Sequence, residues 1–170
     1  YNLFQSGTRD KKMREAAAKN DPRIKQYIDF ADVLEEQILE GRIDFSTPEP
    51  DPRREILFQP SQDVNLEIST ASSMAKELSS LALYLRLLAQ PEELLIIDEP
   101  EMNLHPEAQA KIIEVLAMLV NAGLSVLMTT HSPYIIDHLS NLIKAAEYED
   151  EDQSAIANKF FLKRKDLSLI

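Results

Sequence analysis

Two short runs of this sequence carry the residue types that do chemistry. Asp98 and Glu99 close the apolar run Leu94-Leu95-Ile96-Ile97, and His131 stands within Thr129-Thr130-His131-Ser132-Pro133. Adjacent carboxylates at the end of a buried strand are costly unless a cation or a proton-transfer task holds them there. Successive strand residues point to opposite sides, so Asp98 and Glu99 are expected to do different things. One can bind Mg2+ through water, and the other can orient or deprotonate an attacking water. His131 can donate a hydrogen bond to a phosphate oxygen.

These residues need a frame, and the surrounding pattern supplies one. Leu94–Ile97 is apolar on both faces, the pattern of a strand covered on two sides by helices. Pro106 opens a helix at its first position, Ile112, Ile113, Leu116, Leu119 and Val120 line its core face, and Gly123 ends it. Ser125–Thr129 reads as a second buried strand, with Ser132 as N-cap and Pro133 at the start of another helix. Strand, helix and strand in that order make a βαβ unit with parallel strands. Ligands of such sheets bind off the carboxyl ends of the strands, where both runs lie.

The first half is less regular. Residues 9–40 read as helix, broken at Asn20-Asp21-Pro22, with Gly41 as the C′ terminator. Residues 46–53 hold Pro48, Pro50 and Pro52 and must be a loop. Short strands are expected over 55–59 and 65–69. A helix is expected over 73–90, from the stripe Leu78, Leu81, Ala82, Leu85, Leu88 and Ala89.

With these motifs in order, a family resemblance emerges. Leu94-Leu95-Ile96-Ile97-Asp98-Glu99-Pro100 resembles the Walker B motif of ABC-type ATPases, and Glu101-Met102-Asn103-Leu104-His105-Pro106 resembles their D-loop. The wording of the two is similar to the OLD-family, RecF-like and related AAA-type ATPases of DNA repair and phage defence. Thr129-Thr130-His131-Ser132-Pro133 is similar to the switch-histidine motif of that group. Ser72-Ser73-Met74-Ala75-Lys76-Glu77-Leu78 falls where its signature motif stands. The resemblance spans residues 65–144 closely and 20–64 loosely.

The resemblance implies the C-terminal part of a P-loop NTPase head of α/β class. A parallel sheet would be flanked by helices and preceded by a helical segment, with 1–64 as helical and linker segment and 65–170 as the ATPase subdomain. It implies ATP and Mg2+ as cofactors. Asp98 would hold the Mg2+, through water; Glu99 would be the catalytic base; His131 would sense the γ-phosphate. Ser72 and Ser73, at a helix N-terminus, would contact the γ-phosphate of ATP held by an opposing head. Asn103 and His105 would lie in the loop that couples the two sites. The partners implied are a second head in a homodimer, an N-terminal Walker A half, and a nuclease or DNA-handling effector.

The sequence departs from the family pattern at two places. Met74 stands where the signature usually has the glycine that lets backbone approach phosphate. No Lys is followed by Ser or Thr, so G-x-x-x-x-G-K-[ST] is absent. The backbone cradle for the β- and γ-phosphates must therefore come from elsewhere. Plain structural readings compete for each residue. Asp98-Glu99 would then end a strand before Pro100, His131 would be a core histidine, and Ser72 and Ser73 would be caps only. His105 would sit at a helix start, and His138 would be a surface residue.

Composition bounds the rest. The chain has 170 residues, enough for a real core, and no cysteine, which excludes disulfides and thiolate metal sites. Its formal net charge of −11 argues against an autonomous nucleic-acid binder, which needs clustered cations. No apolar run reaches the roughly 18 residues of a membrane span, and a cytoplasmic protein is expected. The chain opens without Met and stops in strand-like sequence, so both ends are expected to be cut. The rival function is a catalytically silent module that docks on a partner supplying the Walker A loop.

Overall fold

A computed structural model describes residues 7–46, 55–146 and 160–161. The expectations on the chain ends and the acidic run 147–152 lie outside these, as do residues 47–53 of the loop expected over 46–53, whose first residue, Ser46, instead ends a strand. The chain divides into two compact units, residues 1–90 and 91–170, and the expected boundary at 64/65 falls inside the first.

In the first unit, α1 (Gly7–Asn20) and α2 (Pro22–Leu34) meet at Asp21. Its carboxylate accepts from Arg23 N at 2.9 Å and so caps α2, with Pro22 in the first turn. Hydrogen bonds from Arg23 hold this carboxyl below its usual range. Ile24, Tyr27, Phe30, Ala31 and Leu34 recur at helical spacing and are buried. The helix runs on through a π-helical turn, Glu35–Leu39. It is Glu40, at φ 50°, that takes the left-handed position expected for Gly41, and both amides bond Glu35 O. Gly41 answers a different need: a Cβ there would meet the Phe58 ring at 2.5 Å and Gln59 O at 2.8 Å.

Three antiparallel strands follow, β1 (Arg42–Ser46), β2 (Glu55–Ser61) and β3 (Val64–Glu67), in the order β1-β2-β3. The pair expected over 55–59 and 65–69 is β2 and β3, shortened at its end by a 3-10 turn over Ile68–Thr70. Strand β1 was not anticipated, because five residues directly after a helix end carry almost no periodicity. Helix α3 (Ser73–Leu87) packs on α2. Arg86 of α3 reaches Glu35 Oε2 at 2.8 Å and Asp32 Oδ1 at 3.0 Å, tying the end of α2 to α3. Leu88, expected on the core stripe, is exposed, because α3 ends before it.

In the second unit, β4 (Leu94–Asp98) and β5 (Ser125–Thr129) are parallel, with α4 (Pro106–Asn121) between them and α5 (Pro133–Ala146) after. Register runs from Leu94 opposite Ser125 to Asp98 opposite Thr129, so both motif runs sit at the same end. Helix α4 lies along β5 and α5 along α4. Ile112, Ile113, Leu116 and Leu119 are buried as expected, whereas Val120 is exposed, on the far side of α4. Gly123, at φ 94°, closes the helix.

One expectation on the sheet is overturned. Among the described residues of the second unit, the strands are not covered on both faces. Leu95, Ile97, Val126 and Met128 are half-buried, while Leu94, Ile96 and Leu127 on the opposite face are 59%, 67% and 56% exposed. Period two puts Asp98 and Thr129 on that same uncovered face. His138 also departs from expectation: it is not at the surface. Its Nε2 lies 2.8 Å from Oε1 of the fully buried Glu114, and its ring meets Phe160 and Phe161 edge-on at 5.9 Å.

Candidate active site

The carboxyl end of β4 leads straight into a strained turn. Asp98 Oδ1 accepts a hydrogen bond from the Thr129 hydroxyl across the strand pair. Glu99 N extends the ladder by one residue, donating to Thr129 O at 3.1 Å and Thr129 Oγ1 at 3.2 Å. The chain then reverses. Glu99 sits at φ 46° and Asn103 at φ 61°, left-handed positions that Asn accepts more readily than Glu. Two bonds, Met102 N to Glu99 O and Leu104 N to Glu101 O, each 3.0 Å, close consecutive turns ending at α4.

This reversal brings Glu99 against the run that follows β5. Its Oε1 lies 3.3 Å from His131 Nε2, with Glu99 29% and His131 88% exposed. A half-buried carboxylate thus faces an imidazole open to solvent. That pairing can hold and move a proton at the strand ends.

Two further side chains fasten the loops together. Glu101 is buried, and its Oε1 accepts from Thr130 Oγ1 at 2.5 Å, His131 N at 3.0 Å and Ser132 N at 3.2 Å. Burial pushes its carboxyl up, but the bonds from Thr130 and the backbone amides outweigh that and leave it below the usual range. Gln109 of α4 links Leu104 O, at 2.9 Å, to the Ser132 hydroxyl, at 2.6 Å. Neither residue was singled out from the sequence. The signal for Glu101 was present, as a third carboxylate two residues after Glu99 in a turn too short to leave all three in water.

The other expected residues fall as follows. Asn103 and His105 are exposed; Asn103 lies in the turn, and His105 occupies the N-cap of α4 without a side-chain capping bond. Ser72 and Ser73 belong to the first unit. Ser72 is the N-cap of α3, its hydroxyl accepting from Ala75 N at 3.2 Å, and Ser73 is the first residue of the helix. Both are exposed, and Met74 is half-buried. Thus Asp98, Glu99 and His131 come together, with Thr129 between them.

The donor set at the strand end suits a hard cation. Asp98 and Thr129 supply carboxylate and hydroxyl oxygen on the uncovered face, as Mg2+ prefers. Among the described residues no group of three or more His, Cys, Asp or Glu could hold a metal. One carboxylate with water and phosphate completing the shell is the usual way Mg2+ is bound. Among the described residues no helix is long and apolar enough to cross a membrane.

Residues 4–137 match a protein family described as "AAA domain, putative AbiEii toxin, Type IV TA system". A curated relative, the UvrABC system protein A of Malacoplasma penetrans (strain HF-2), is 30% identical over 122 residues. That match covers 69% of this chain and only 12% of the relative. Two solved structures share the fold. One, described as "Structural biochemistry of ATP-driven dimerization and DNA stimulated activation of SMC ATPases", has a TM-score of 0.51 at 13% identity, covering 74% of this chain and 77% of that one. The other, "Crystal structure of the SmcHead bound to the C-winged helix domain of ScpA", has a TM-score of 0.51 at 15% identity, covering 79% and 41%. The mixed α/β fold, parallel strands with helices, resembles that of these two structures, as the P-loop NTPase expectation had it.

Proposed function

This chain belongs to the family described as "AAA domain, putative AbiEii toxin, Type IV TA system", and on that premise we propose that it carries the hydrolytic part of an ABC-type ATPase site. The observation that carries this reading is the 3.3 Å approach of Glu99 and His131 beside Asp98 at the ends of two parallel strands. Asp98 would hold the Mg2+ of MgATP, which would supply charge neutralisation at the phosphates. Glu99 accepts a proton from the attacking water. His131, exposed at the same edge, donates to the γ-phosphate. Ser72 and Ser73, at the N-terminus of α3, meet the γ-phosphate held by an opposing head, in a head-to-tail homodimer. Asn103 and His105 line the contact between the two heads.

The missing phosphate loop comes from an N-terminal half-head. The uncovered sheet face supports this: Leu94, Ile96 and Leu127 stand in solvent beside Asp98. Covering each such side chain would stabilise by roughly 1.5–3 kcal/mol. Closure on ATP and opening on hydrolysis would drive a nuclease or DNA-handling effector in repair or phage defence. ATP-driven dimerisation in the SMC neighbour and the family's toxin description give that output its direction. The rival is a silent docking module, which the same apolar face also favours.

Turnover separates the two. The natural-length gene product should hydrolyse MgATP, and this 170-residue chain alone should not. Absence of turnover in a folded natural-length protein would favour the silent module.

A further inference from the structure

Glu101 has no part in the scheme above, yet it is among the most constrained side chains of the second unit. It is 7% exposed, and one oxygen collects donors from three consecutive residues, Thr130, His131 and Ser132. Its other oxygen, Oε2, is buried and makes no hydrogen bond among the described residues. No cation approaches within ion-pair distance among the described residues, and the partners of its charge are a hydroxyl and two amides. Three donors on one oxygen hold the charge there and, in return, are held by it.

What it organises is the 3.3 Å pair. The His131 ring is 88% exposed, so little besides its own backbone decides where the ring stands. That backbone is held through its amide by Glu101. Glu101 in turn belongs to the turn closed by Met102 N and Glu99 O, which aims Glu99. The carboxylate thereby fixes the histidine side of the pair through its amide, while the backbone bond of the turn holds the glutamate side. Asp would be a methylene too short to span the gap. Ala would strand the His131 N–H and the Thr130 hydroxyl, while the Ser132 N–H would keep Thr130 Oγ1 at 3.1 Å. Gln would keep the accepting oxygen.

We propose that Glu101 is a positioning residue that holds His131 against Glu99, so that ATP hydrolysis depends on it while nucleotide binding does not. This rests on the assignment of Glu99 and His131 to hydrolysis. Gln109 holds the same loop independently, from Leu104 O to the Ser132 hydroxyl, so loss of Glu101 shifts the loop without unfolding it.

The experiment takes the natural-length gene product as wild type, Glu99→Gln, Glu101→Ala, Glu101→Gln, His131→Ala and the Glu101→Ala/His131→Ala double variant. Steady-state MgATP turnover is measured beside binding of a fluorescent ATP analogue. Glu101→Ala should lower kcat by about 10- to 100-fold with analogue affinity unchanged, and Glu101→Gln should recover most of the rate. The double variant should fall no further than His131→Ala alone, the non-additivity expected of residues acting as one unit. Wild-type kcat in Glu101→Ala, additive losses, or parallel loss of binding without rescue by Gln would each overturn the proposal. Wild-type turnover in Glu99→Gln would instead overturn the ATPase assignment itself. Amide exchange in this chain needs no turnover. The His131 amide should be protected in wild type and Glu101→Gln and exposed in Glu101→Ala, with β4 and β5 unchanged. Fast exchange of the His131 amide in wild type would also refute it.

Discussion

Glu35 and Glu101 are both buried glutamates, at 3% and 7% exposure, but the two units treat them in opposite ways. Glu35 has a cation: Arg86 lies 2.8 Å from Oε2, and Ile43 N donates to Oε1 at 3.3 Å. Burial nevertheless dominates, and its carboxyl is pushed above the usual range despite Arg86. Glu101 has no such cation among the described residues, yet three donors on one oxygen leave its carboxyl low. A nearby opposite charge therefore does not decide the state of a buried acid; the number and aim of hydrogen bonds can count for more. Glu35 serves the scaffold, joining α2, α3 and β1. Glu101 serves the edge where Glu99 and His131 meet.

Removing the cation is expected to have the largest effect on stability. Arg86→Met leaves Glu35 buried without its ion-pair partner and should cost about 3 kcal/mol, read by urea unfolding. A cost under about 1 kcal/mol would place this pair with surface ion pairs and weaken the contrast. Gly41→Ala, which drives a methyl into the Phe58 ring and Gln59 O, should cost about 1–3 kcal/mol by the same measurement. Glu101→Ala is expected to cost less, about 1–2 kcal/mol, because the site edge can admit water to the freed His131 amide and Thr130 hydroxyl.

The smallest and sharpest difference is in pH dependence. Glu101 is lowered in the folded state, so its contribution is complete above its ordinary value of 4.5 and is lost as pH falls through the folded value below that. Glu35 is raised, so its contribution is complete below 4.5 and is lost as pH rises through the folded value above that. Stability against pH for Glu35→Gln and Glu101→Gln should therefore diverge from wild type on opposite sides of 4.5. Divergence on the same side for both would break the comparison.

The second unit was far more legible in the sequence than the first. Pro106, Gly123 and Pro133 punctuate its elements, and its strands and helices are long enough for periodicity to speak. The uncovered sheet face escaped for a physical reason. Leu94–Ile97 is apolar at every position, and a strand awaiting a cover reads the same as one already covered. In the first unit, β1 is too short to show a period, and Glu40 takes a left-handed turn that a neighbouring glycine seemed to claim. At the site, the motif runs brought Asp98, Glu99 and His131 into view. The partners that hold them, Thr129, Gln109 and above all Glu101, depend on distances across loops that spacing along one chain does not encode.

The most direct test is MgATP turnover by the natural-length gene product and its Glu99→Gln variant, with ATP binding confirmed in both. The account predicts a loss of about a hundredfold or more with binding retained, the scale expected on removing a general base. Equal turnover in the two proteins would contradict it and remove Glu99 from the hydrolytic site.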